Sequence, residues 1–138
     1  MNRYILNIGL LESSILGDGS ALSAAWAVEI VCDSVKTLWG GNAAVVAHAV
    51  HTSDTEPTLV VEVRTTGPAI AHVAMLGDLL AVRLRQEAVA CAALLPSGAV
   101  AYGFLRGPLA HRWGAFNPEF FLLLDGRRAA EPATVAAA

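Results

Sequence analysis

Charge is scarce in this chain. Only 15% of its 138 residues are Asp, Glu, Lys or Arg, against an apolar share of 55%. With so little polar surface to spare, an exposed apolar patch is expected, and with it an oligomer or partner interface. Basic charge is scarcer still: the net charge is −3 and the isoelectric point is about 5.7. A general grip on a phosphate backbone needs a basic footprint, so direct nucleic-acid binding is not expected. Long hydrophobic runs are also missing. The longest uncharged stretch, Ala88–Leu105, is broken by Pro96-Ser97-Gly98 and reads as two short strands, not a membrane span. Near the N-terminus, Ile5–Leu11 contains Asn7 and Gly9 and lacks a cleavage site. No signal peptide is read there, and the cytoplasm is the expected compartment. Cysteine is limited to Cys32 and Cys91, both inside periodic apolar segments, where they read as small buried hydrophobes in a reducing compartment.

What the chain has is an order of periodicities. Tyr4–Leu11 alternates, with both faces largely apolar, as in a central strand. Ser20–Leu38 is amphipathic at helical spacing: Ala24, Val28, Val31, Val35 and Leu38 on one side, Glu29, Asp33 and Lys36 on another. Ser20 is the expected N-cap, and Gly40-Gly41 the stop. Ala43–Val50 and Thr58–Thr65 are extended and joined by a turn around Asp54 and Pro57. Pro68–Leu84 is helical, opened by Gly67-Pro68 and buried along Val73, Leu76, Leu80 and Leu84. Ala88–Leu94 and Ala99–Leu105 form a hairpin, and Phe120–Leu124 a last strand.

Strand, helix, strand, strand, helix, strand is the signature of a split βαβ domain. The expected fold is α+β: a ferredoxin-like βαββαβ antiparallel sheet, two helices on one face, extended by a hairpin and a C-terminal strand. Residues 1–125 form the single domain, and the alanine-rich residues 126–138 are expected to be mobile.

Reactive groups do not converge in the sequence. His48 and His51 lie three apart on a strand and so point to opposite faces. His51, Asp54 and Glu56 could meet in the turn, but Asp54 and Thr55 suffice to hold it, and no metal site is assigned. No nucleophile elbow is present, and His72 and His111 have no evident Ser or Cys partner. Gly17-Asp18-Gly19-Ser20 could offer amides to a phosphate but lacks the lysine and spacing of a phosphate loop. Trp113, Phe116, Phe120 and Phe121 crowd around Asn117-Pro118, either as a lid on the core or, beside Arg106 and Arg112, as interface anchors.

Three stretches together resemble a known family: His51-x-Ser53-Asp54-Thr55-Glu56-Pro57 running into Thr58–Val63, Arg85-Gln86-Glu87-Ala88-Val89-Ala90, and Gly107-Pro108 leading into Trp113–Leu122. The family is one of small bacterial proteins carried on plasmids, phages and integrated elements, and the resemblance spans roughly residues 3–127. It brings no catalytic residue with it. It implies a mobile-element habitat, where accessory genes often encode inhibitors of host defence complexes, including anti-CRISPR proteins. The resulting expectation is a non-enzymatic protein-binding inhibitor, homodimeric or bound to a host complex. It would act through Arg112, Trp113, Phe116, Asp54, Glu56 and Glu62, with no cofactor and no membrane contact. The alternatives are a small ferredoxin-like enzyme or metabolite-binding protein using His51 or His111 with Asp54 and Glu62, and a structural homodimer.

Overall fold

The computed structural model describes residues 2–52, 56–66, 70–94 and 100–105. The elements are β1 (Asn2–Gly9), α1 (Ala24–Trp39), a short 3-10 turn (Gly40–Asn42), β2 (Ala43–His51), β3 (Thr58–Thr65), α2 (Ile70–Arg83), β4 (Val89–Leu94) and β5 (Val100–Leu105). The strands form one sheet in the order β2-β3-β1-β4-β5, and every neighbouring pair is antiparallel. The result is an α+β domain consistent with a ferredoxin-like plan. The expected β4–β5 hairpin is present; the strand at Phe120–Leu124, the Gly67-Pro68 helix start and the tail lie outside the described residues.

Both helices pack on one face of the sheet. Ala27, Val31 and Val35 of α1 and Val73, Leu76, Leu80 and Leu84 of α2 share one cluster with Tyr4, Leu6, Ile8, Leu59, Val61, Val63, Val89 and Cys91. Every strand residue in that list sits at alternate positions, as the two-residue period requires. The opposite face is also buried, but by different chemistry: Ile5, Val60, Ala47, Ala49, Ala90 and Ala92 surround Glu62. A bulge in β2 between Val45 and Ala47 moves the strand from one phase to the other, so Val45 faces the helices while Ala47 and Ala49 face away.

The first helix starts one turn later than its composition suggests. Ser23, not Ser20, is the N-cap, and its hydroxyl accepts a bond from the Trp26 amide. Ser20 is engaged by Asp18 through both its amide and its hydroxyl. The α1 C-terminus stops at Gly40, whose φ of 61° closes the last turn onto the Lys36 carbonyl. Arg83 ties the two helices together, donating to the Asp33 carboxylate at 2.9 Å and the Ser34 hydroxyl at 2.8 Å.

The end of α2 departs from the usual chemistry. The Gln86 amide bonds to the Ala81 carbonyl and the Arg85 amide to the Val82 carbonyl, the paired closure of a Schellman motif. That motif needs a left-handed residue, and here it is Arg85, with φ 52°, where glycine is favoured. The strained turn is fastened at its other side: the Arg85 carbonyl accepts the Ser13 amide at 2.8 Å.

Candidate active site

Antiparallel order brings three connections to one end of the sheet: the β1–α1 loop, the β2–β3 turn and the α2–β4 turn. A cavity of about 320 Å³ opens there, lined by Leu11, Glu12, Ser13, Ser14, Gly19, Glu56, Gln86 and Glu87. Its volume is at the small end of the range for small-molecule sites. Among the described residues its lining is acidic, with three carboxylates and one side-chain amide.

The Leu11 peptide orients two of these side chains. Its amide donates to the Glu56 carboxylate, and its carbonyl accepts from Gln86 Nε2 at 3.0 Å. Gln86 Nε2 also donates to the Leu84 carbonyl at 3.0 Å. Leu11 is itself fixed by an isolated bridge to Ala21, and Leu10 by a bond from its amide to the Pro57 carbonyl. Beneath this pair lies Gly9. A Cβ there would stand 2.7 Å from Glu56 Oε1 and 3.1 Å from Gln86 Oε1, so glycine leaves the room in which the two oxygens converge. On the same strand face, Asn7 Oδ1 is buried and has no hydrogen-bond partner.

The electrostatics differ from one carboxylate to the next. Burial pushes the Glu56 carboxyl above its ordinary value, partly offset by the Leu11 amide. The exposed Asp18 is held below the usual carboxylate range by the Ser20 hydroxyl first, then by Glu12 and the Ser20 amide. Glu12 lies 3.8 Å from the Arg85 guanidinium. A carboxyl raised by burial on a cavity wall is suited to exchanging a proton with a bound molecule. Among the described residues no group of three or more metal-ligating side chains stands together.

The residues singled out from the sequence are distributed otherwise. Glu56 is in the cavity. Glu62 is not at a partner surface: its side chain is fully buried and clamped by Arg3 (Nε and Nη2, both 3.0 Å) and Arg64 Nε (2.7 Å). Three charges that alternate along β1 and β3 read as a solvated face, whereas here the arginine guanidinia cancel a carboxylate inside the fold. His51 is half-buried at the end of β2 and does not line the cavity, while His48 borders a separate, apolar cavity of about 520 Å³ with Ala24, Ala25, Val28, Ala49, Val50 and Leu59. Asp54, His111, Arg112, Trp113 and Phe116 lie outside the described residues. The Gly17–Ser20 loop does not present a free Ser20 amide to a phosphate, because Asp18 already occupies it at 3.0 Å. Glu12, Gln86 and Glu87 carry no local sequence signal that marks them as site residues. The signal that finds them is topological: each falls just past an element that ends at the same edge of the sheet.

No family model and no curated protein matches the chain. Among solved structures, the chain is similar to a phage SAM lyase in complex with S-methyl-5′-thioadenosine, with TM-score 0.52 and 18% identity over 76% of this chain and 88% of that one. A phage SAM lyase in the apo state matches at TM-score 0.47 and 15% identity over the same shares. The likeness at this identity is one of fold. It corrects the expectation of a non-enzymatic, anti-CRISPR-type inhibitor, since the protein that shares the fold is an enzyme with a small-molecule ligand. No helix among the described residues is long and apolar enough to cross a membrane.

Proposed function

We propose that this chain is a small enzyme of ferredoxin-like plan that binds a sulfonium nucleoside of the S-adenosylmethionine class and cleaves its carbon–sulfur bond. The acidic cavity around Glu56 carries the reading, and the fold likeness to a lyase supports it. The ligand class is cationic, with a positive sulfonium and an α-ammonium, and a pocket with three carboxylates offsets that charge. Among the described residues no basic side chain lines it.

The chemistry sets where the carboxylates belong. In cleavage to a thioether, the electron pair of the breaking bond goes to sulfur and the sulfonium charge disappears. The carbon left behind takes its new bond from the fragment's own carboxylate, or the carbon next to it loses a proton to a base and the C–H electron pair becomes the new double bond. A carboxylate against the sulfonium would hold the charged ground state and slow that step. Removal of water from the sulfonium speeds it. Glu56 and Glu12 therefore serve best at the ammonium or hydroxyl end of the ligand, and the apolar wall at Leu11 serves at the sulfur. Glu56, raised by burial, is also the side chain best suited to accept a proton there.

Incubation of the purified protein with S-adenosylmethionine, followed by chromatography, tests the proposal. S-methyl-5′-thioadenosine should accumulate with the native chain and fall at least 100-fold with Glu56→Ala, the scale of losing one positioned acid–base group. No product from the folded native chain, together with no binding by calorimetry, removes the reading.

A further inference from the structure

We infer that Asn7 reads the base of the bound nucleoside, its carboxamide taking the amino edge of an adenine. The inference rests on the activity proposed for the cavity. Asn7 is out of character for its place. β1 is the central strand, paired with β3 on one side and β4 on the other, and asparagine is disfavoured in strands. Its Oδ1 is shut off from solvent and accepts no hydrogen bond. Its neighbours show why. Val60 stands opposite on β3 and Ala90 on β4, while Ile5 and Gly9 flank it on the same face, and none of these carries a side-chain donor. Next along that face, Glu56 and Gln86 pack against Gly9, but both hydrogens of Gln86 Nε2 already go to the Leu11 and Leu84 carbonyls. A buried amide oxygen without a donor weakens the fold, and a bound molecule that supplies the donor accounts for it.

The placement follows the order of the ligand. Leu11, then Gly9 with Glu56 against it, then Asn7 succeed one another along the line of β1. Sulfur, ribose and base succeed one another in a sulfonium nucleoside. With the sulfur at Leu11, the ribose hydroxyls fall at Glu56 and the base at Asn7. Two residues of strand, about 7 Å, separate Gly9 from Asn7, which is the scale of the step from a ribose hydroxyl to the adenine amino group. Asn7 is half-buried, so the rest of its side chain meets open space. Among the described residues no hydrogen bond fixes which way its amide faces, and a turn about the last torsion brings oxygen and nitrogen to the ligand together. An acceptor and a donor in one plane complement the adenine amino group and the ring nitrogen beside it.

Calorimetry with two probes tests the inference: S-methyl-5′-thioadenosine, and its 6-deamino counterpart, which keeps the ribose and the thioether but lacks the amino group. The native chain should bind the first about tenfold more tightly than the second, because an unmatched polar edge is penalised. Asn7→Leu, close to asparagine in shape, should lose that preference and bind the two compounds alike. A preference kept by Asn7→Leu overturns the inference and leaves the functional reading standing. Equal binding of the two compounds by the native chain does the same. No binding of either compound by the native chain overturns both. Where Asn7→Leu fails to fold, the Asn7 side-chain amide resonances of the native 15N-labelled chain decide. A shift with S-methyl-5′-thioadenosine that the 6-deamino compound does not produce supports the inference; the same shift with both, or no shift, overturns it.

Discussion

The two faces of the sheet solve different problems. Under the helices, Tyr4, Leu6, Ile8, Val61 and Val63 meet Val31, Val35, Leu76 and Leu80, and the cluster contains no charged group. On the other face, alanines and Ile5 surround a carboxylate held by two arginines, and β1 runs past Asn7 to Gly9, against which the Glu56 and Gln86 side chains pack. Apolar packing on the first face supplies stability that no single contact controls. The second face spends part of that stability on fixed polar groups, and polar groups with few orientations are what a binding site needs.

The contrast can be broken most severely at Leu6, fully buried on the helix face of the central strand. Leu6→Ala should cost about 3 kcal/mol, the middle of the range for large-to-small core changes, and calorimetric or denaturant unfolding will read it. Glu62→Ala should cost less, about 2 kcal/mol, because Arg3 and Arg64 stay partly in contact with water once their partner is gone. The two arginines stand directly opposite in the β1–β3 register, so the loss should be smaller at high salt. A Glu62→Ala protein as stable as the native one would mean the second face has no polar anchor.

A weaker effect follows from Glu56. Its carboxyl is raised in the folded chain, chiefly by burial, so the folded state holds its proton to higher pH than the unfolded state does. Below the unfolded value both states are protonated and the group is silent. As pH rises through the window up to the folded value, ionisation costs the folded state and stability falls. Unfolding followed across that window should show the decline in the native chain, and Glu56→Gln should flatten it. Arg85→Gly should be neutral or stabilise by up to about 1 kcal/mol, since relief of the left-handed strain outweighs a distant ion pair. The smallest effect is chemical. The Cys91 thiol, pushed up to about 12 by burial, should resist alkylation in the folded state at pH 8, where the less raised and partly buried Cys32 reacts slowly.

Which of this is legible in the sequence depends on whether the signal is local. The strands and helices are, because burial of one stripe or one alternating face leaves a period in the chain. The N-cap is not legible to within three residues, because Ser20 and Ser23 are equivalent locally and only the Asp18 side chain decides between them. Glu62 reads as a surface charge because nothing near it in sequence shows that both faces of β3 are buried. The cavity is the least legible part. Glu12, Glu56 and Gln86 come from three connections with no motif in common, and the αL turn that delivers Gln86 carries arginine where glycine would have announced it.

The central claim is that the acidic cavity around Glu56 is where a nucleoside ligand sits. A crystal structure of the chain with S-methyl-5′-thioadenosine tests it most directly. The ligand should lie against Leu11, with the Glu56 carboxylate at hydrogen-bond distance from one of its donors. A ligand lodged instead in the apolar cavity beside His48, with Glu56 untouched, would contradict it.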